Sequence, residues 1–146
     1  MPPLYRQLCA DRLFLLVHAM AILFWLGLYL VTDTTSGRLS DNPLLLLQLI
    51  LLYPILEEIV FRGLLQGWLW TTPLRTARRF GQISMPNIVT SVIFTGLHFF
   101  YHPPLWAAGV FIPSLIYGLF RDRYGHLLPA IWLHIFFNSG YFLLFG

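Results

Sequence analysis

Fifteen of the 22 residues in the stretch 44–65 are Leu, Ile, Val or Phe, and the only two glutamates of the chain, Glu57 and Glu58, sit side by side within it, with Arg62 four residues on. A run of this length and character reads as a membrane span, which needs about 20 residues. Charge is out of place there. On insertion scales each ionised side chain near a helix centre costs about 2.5–3.5 kcal/mol, or about 8–10 kcal/mol for three, while the apolar residues return about 0.5 kcal/mol each, about 7 in all. Such a helix cannot face lipid on every side. Its charged stripe has to point into protein or a wet cavity, and an intramembrane ionisable group of that kind is a functional-site candidate by default.

The rest of the chain extends this reading. With 58% hydrophobic and 10% charged residues the sequence is far from the balance of a soluble domain, and 146 residues leave room for about five or six spans with short loops and no separate soluble unit. Hydrophobic runs fall at residues 13–31, 44 to about 70, 88–101, 105–120 and 127–145. The expected fold is therefore all-α, a polytopic transmembrane helical bundle of about five spans forming one domain over residues 1–146. The third and fourth runs are short, and Pro103-Pro104 between them predicts a tight hairpin that does not reach the far surface as two full spans. Pro54, one turn before Glu57, predicts a kinked or opened helix. Arg6 and Arg12 ahead of the first run resemble an export signal. That run is too long for one and no small-residue cleavage pattern follows Val31, so a retained helix is expected. Cys9 stands alone and offers no disulfide.

All nine basic residues are arginine. Five crossings place Arg6, Arg12, Arg75, Arg78, Arg79, Arg121 and Arg123 on one side and Arg38 on the other, which predicts a cytoplasmic N-terminus, cytoplasmic loops at 71–86 and 121–125, and an external C-terminus. The net charge of +3 is then a matter of topology. Nucleic acid is not an expected partner, because the arginines are spread over three membrane-flanking segments with no single basic face.

Few polar residues remain inside the spans, and they converge in type. Helical spacing pairs Glu58 with Arg62 on one face, while Glu57 is turned by about 100° from Glu58. Glu58 and Arg62 read as a structural pair, and Glu57 as a carboxylate left to titrate or to hold water. The third run ends with Phe94-Thr95-Gly96-Leu97-His98; the fifth contains His134 and Asn138, four apart on one face. Three helices thus contribute Glu57, His98, His134 and Asn138. These groups supply a base, a second proton-handling group and hydrogen-bond donors, the inventory for activating a water and stabilising an oxyanion.

The ordered set Glu57-Glu58-x-x-x-Arg62, Phe94-x-x-x-His98 and His134-x-x-x-Asn138 resembles the three motifs of the CPBP family, the glutamic intramembrane proteases related to the CAAX prenyl endopeptidases. The motif-bearing core spans about residues 44–138. The resemblance implies that Glu57 and His98 activate the attacking water, that His134 and Asn138 form the oxyanion site, that Glu58 and Arg62 support the architecture, and that no cofactor or catalytic metal is required. With about five spans the chain is more compact than larger relatives and is similar to small bacterial members associated with protein sorting. That likeness implies a bacterial cytoplasmic-membrane location and a membrane-associated protein substrate, the C-terminal tails of exported proteins.

Other readings of the same residues compete. Glu57, His98 and His134 could supply ligands to zinc in a metal-dependent membrane hydrolase, although no H-E-x-x-H pattern is present. A non-enzymatic interaction or immunity factor could use the cluster for structure alone. His18, His102 and His126 have no motif context and are expected to serve packing or interfaces. Trp25, Trp68, Trp70, Trp106 and Trp132 suit membrane anchoring. Gly63 and Gly67 form a G-x-x-x-G pattern that serves intramolecular packing as well as dimerisation, so the oligomeric state is open.

Overall fold

Why the helices begin and end where they do is written in their capping residues. In the computed structural model, residues 2–32, 42–77 and 80–145 are described. A short helix α1, Leu4–Ala10, which the hydropathy pattern does not announce, leads into α2, Arg12–Val31. Asp11 separates them and caps α2 by accepting from the Leu13 N–H at 2.9 Å. Helix α3, Pro43–Leu69, starts with Asn42 accepting from the Leu45 N–H at 3.1 Å and with Pro43 pre-set for the first turn. Ser84 caps α4, Met85–His98, by accepting from the Asn87 N–H. Helix α5, Pro104–Tyr124, carries a break at Val110 and ends at Gly125, whose φ of 63° supplies the left-handed cap. Helix α6 is Leu128–Phe145. The only β pairing among the described residues is one bridge between Phe80 and Ile83.

Four of these helices, α2, α3, α5 and α6, are long and apolar enough to cross a membrane. The third expected span, residues 88–101, is shorter. With 14 residues, α4 extends about 21 Å against a hydrocarbon core of about 30 Å. It also starts three residues earlier than the hydropathy run, because Ser84 and Pro86 favour a helix start there, and it ends at His98, with residues 99–101 in turns. Residues 121–124, expected in a loop, extend α5 instead. Their side chains are tied to the bundle: Arg121 Nε donates to the Arg62 carbonyl at 3.1 Å, and Asp122 accepts from Gln66 and Trp70. Arg38, Arg78 and Arg79, which enter the orientation argument, lie outside the described residues.

Helix α3 has the two faces that its composition demands. Glu58, Arg62 and Gln66, one turn apart in succession, are fully buried, whereas Leu44, Leu47, Leu56, Val60 and Leu64 are exposed to the surroundings that lipid would fill. The buried stripe meets α5 at the same spacing. Arg62 Nη2 donates to the Ser114 carbonyl at 2.8 Å and to its hydroxyl at 2.7 Å, and Gln66 Nε2 donates to the Gly118 carbonyl at 3.1 Å and to Asp122 at 2.8 Å. In a low-dielectric interior, interhelical hydrogen bonds of this sort fix register where apolar packing alone does not.

Helix α4 packs on α5 through Gly118, where a Cβ would stand 1.9 Å from Asn87 Oδ1; only glycine lets the backbones approach so closely. The Asn87 amide donates to the Leu115 carbonyl at 2.9 Å. Helix α6 lies against α3, α5 and α2. The last contact sets Trp25 over Gly140, with the Trp25 and Phe136 rings 5.1 Å apart. Phe14, Tyr117, Phe120, Ala130 and Leu133 form the apolar core between α2, α5 and α6. The G-x-x-x-G pattern serves this intramolecular packing, with Leu127 against Gly63 and Arg121 against Gly67.

Candidate active site

Pro54 sets the site's geometry by what it lacks. Residues 48–52 of α3 wind as a π-turn in which the Tyr53 N–H bonds to the Gln48 carbonyl, one residue further back than in an α-helix. The Leu49 carbonyl would next be reached by residue 54, which as proline has no N–H. Asn138 takes up this orphan acceptor: its Nδ2 donates to Leu49 O at 2.9 Å. A second π-turn, Ile59–Leu65, follows the α-helical turn Tyr53–Glu58. The two glutamates are thus carried on one regular turn between two widened ones, an irregularity that recurs at functional sites.

Glu57 and Glu58 reach the same imidazole from opposite sides. His134 Nδ1 lies 2.9 Å from Glu58 Oε1, and its Nε2 lies 3.6 Å from Glu57 Oε2. Glu58 is also paired with Arg62, Oε2 to Nε, at 3.3 Å. That contact has the distance of an ion pair without hydrogen-bond alignment, since Glu58 Oε2 and Arg62 Nε both lack a directional partner. Environment separates the two carboxylates. The Glu58 side chain is 0% exposed and that of Glu57 is 35% exposed. Glu58 is a closed junction between Arg62 and His134; Glu57 opens outward and is available to a small molecule such as water.

Arg62 is held by Ser114 and sandwiched by rings, with its guanidinium carbon 4.9 Å from the centre of Phe94 and 5.8 Å from that of Tyr117. Phe94 stands between the two imidazoles, 4.6 Å from His98 and 6.0 Å from His134. His98 Nδ1 is 2.8 Å from the Phe94 carbonyl. A carbonyl only accepts, so Nδ1 carries the proton and, in the neutral ring, Nε2 keeps a free lone pair suited to a base. By the same reasoning His134 donates from Nδ1 to Glu58.

The site residues expected from the sequence are therefore placed unequally. Direct contacts join Glu57, Glu58, Arg62 and His134. His98 joins them through Phe94, and Asn138, one turn from His134, has its amide on Leu49. Ser114 and Tyr117 of α5 also belong to the site and carry no motif. The one readable signal is the spacing of Ser114, Gly118 and Asp122 by four, which matches Glu58, Arg62 and Gln66. His102, given no role by the sequence motifs, stacks beside His98 at 5.8 Å and lies tilted against Trp106 at 4.1 Å. His18 serves packing, bonded to the Phe14 carbonyl at 2.7 Å and to Trp132 at 3.1 Å. Among the described residues no group of three or more His, Cys, Asp or Glu side chains is arranged to hold a metal ion. Cavities of about 750 and 240 Å³ open at the arginine-bearing end around Arg123, and neither reaches Glu57.

No curated protein and no solved structure matches the chain. A family model does: residues 39–140, which contain all three motif segments, match the family described as type II CAAX prenyl endopeptidase Rce1-like. With more than half of its length matched, and with several apolar helices that suit a multi-pass membrane protein, the chain belongs to the Rce1-like family of membrane endopeptidases.

Proposed function

We propose that this membrane endopeptidase is a glutamic protease in which Glu57 and His98 activate a water for attack on a peptide carbonyl. The observation that carries the reading is the unequal exposure of the paired glutamates around one imidazole: Glu58 closed between Arg62 and His134, Glu57 open to the site. A general base has to reach a solvent-derived molecule while its orientation is fixed by groups that do not react. Glu58, Arg62 and Ser114 supply that fixed frame. His98, with Nε2 free, is the second proton-handling group; likeness to the family assigns the donor side to His134 and Asn138, whose Nδ1 and amide are engaged by Glu58 and by the Leu49 carbonyl.

The substrates we assign are the C-terminal membrane tails of exported proteins in a bacterial cytoplasmic membrane, with the arginine-bearing end of the bundle in the cytoplasm. The substrate class and the bacterial membrane rest on likeness to compact members of the family, the orientation on the placement of arginine. The experiment reconstitutes the full chain in proteoliposomes with a pool of internally quenched peptides that carry such tail sequences. Cleavage by the native chain that is lost in Glu57→Gln and in His98→Ala, both still folded, is the expected result. Equal cleavage by Glu57→Gln would refute the mechanism.

A further inference from the structure

The two groups expected to stabilise the oxyanion are already engaged. Both nitrogens of His134 face carboxylates, and the Asn138 amide is committed to the carbonyl that Pro54 leaves unpaired. A donor that is not committed lies beside His134. Tyr117, on α5, is 3% exposed, and its ring stacks on His134 with 4.7 Å between centroids and 21° between planes. Phe137 holds it edge-on at 5.7 Å, and the Arg62 guanidinium faces the same ring at 5.8 Å. Its phenol is within electrostatic reach of Glu58, Arg62 and Glu57. Among the described residues the Tyr117 hydroxyl has no hydrogen-bond partner, yet it is not one of the unpaired atoms sealed from solvent. A buried phenol ordinarily finds a partner inside the protein. Here the hydroxyl is left unpaired on a ring that stacks on the His134 imidazole.

We propose that Tyr117 is a catalytic residue that donates its phenolic hydrogen bond to the carbonyl oxygen of the scissile peptide. The proposal rests on the water-activating role of Glu57. As the water oxygen bonds to the carbonyl carbon, Glu57 takes the water proton and the C=O π pair moves onto oxygen. The oxyanion accepts from Tyr117, whose O–H bond stays intact. On collapse the C=O bond re-forms, the C–N bond breaks, and the proton held by Glu57 passes to the leaving nitrogen. Tyr117 thus supplies a pre-oriented dipole where charge develops.

The test compares native chain, Tyr117→Phe, Tyr117→Leu and Glu57→Gln in proteoliposomes with the quenched tail-peptide pool, alongside thermal unfolding of each protein. Tyr117→Phe keeps the ring on His134 and removes only the hydroxyl. It should lower kcat about a hundredfold, as loss of one oxyanion donor does, leave KM within about threefold, and melt as the native chain does. Tyr117→Leu removes the ring as well and should also lower the melting midpoint, which separates packing from chemistry. Glu57-dependent cleavage that persists in Tyr117→Phe at near-native kcat would overturn the role of the phenol and leave the Glu57 reading standing. Absence of Glu57-dependent cleavage by the native chain would overturn both.

Discussion

Adjacent glutamates that differ only in orientation should fail in opposite ways when each is changed to glutamine. Glu58 is fully buried, with Arg62 at 3.3 Å on one oxygen and His134 at 2.9 Å on the other. Glu58→Gln keeps the shape and an acceptor for His134, but leaves a buried guanidinium whose remaining hydrogen bonds go to Ser114, a neutral partner. Breaking a buried pair from one side costs about 3–5 kcal/mol, and the retained amide acceptor puts the expectation near the lower end, about 3 kcal/mol or two decades in the unfolding equilibrium. Glu57 is a third exposed and touches His134 at 3.6 Å, so Glu57→Gln should cost less than about 1 kcal/mol. The assay is reversible unfolding in mixed detergent and SDS micelles, read by helix content, for both variants and for Glu58→Gln/Arg62→Met. Removing the second charge should recover part of the loss, because the unpaired guanidinium is the source of the cost. A Glu58→Gln protein as stable as Glu57→Gln, or a double variant no better than the single, would refute the assignment of Glu58 as the buried junction.

Asn138→Leu should destabilise by about 1–3 kcal/mol, since it strands the Leu49 carbonyl, and the same unfolding assay reads it; native stability would mean that the π-turn satisfies itself. Gly118→Ala should cost about 1–3 kcal/mol by forcing α4 away from α5 at Asn87, whereas Gly96→Ala, which meets nothing within 4 Å, should be neutral or gain up to about 1 kcal/mol from helix propensity. Asp11 ties α2 to the end of α5, with Arg123 at 2.8 Å and the Tyr124 hydroxyl at 2.6 Å. Burial pushes its carboxyl up, but the Tyr124 hydroxyl, the Leu13 N–H and Arg123 outweigh that and hold it below the ordinary 3.8. Because the folded value lies below the unfolded one, the stabilisation is fully present above about pH 4 and is lost as pH falls through the folded value. Asp11→Asn keeps the helix cap and removes the charge, so its melting midpoint should decline less than that of the native chain between pH 4 and about pH 2.5. Parallel declines would show that the clamp contributes nothing.

Much of this architecture is legible in the chain. The apolar runs place α2, α3 and α6 almost to the residue, and the cost of burying Glu58 and Arg62 forces α3 to have an inner face before any neighbour is known. The placement of α4 and the end of α5 follow from local signals that hydropathy overrides: Ser84 and Pro86 at a start, Gly125 at a stop. The contribution of α5 to the site is harder to read. Arg62 and Gln66 are held partly by the carbonyls of Ser114 and Gly118, and Asn138 by that of Leu49, and backbone acceptors have no signature in a sequence. The convergence of Glu57 and Glu58 on one ring is hidden for a geometric reason. A regular helix turns them about 100° apart and suggests separate faces, but an imidazole presents nitrogens on two sides and bridges the gap. The π-turns on either side also shift the register on which a 3.6-residue reading depends.

Whether peptide hydrolysis depends on the Glu57 carboxylate is measured directly by a mass-spectrometric comparison of membrane-protein C-termini in cells carrying the native chain or Glu57→Gln at equal abundance. A defined set of truncated C-termini should be present with the native chain and absent with the variant. Identical C-termini in the two cell populations, with both proteins folded in the membrane, would contradict that dependence.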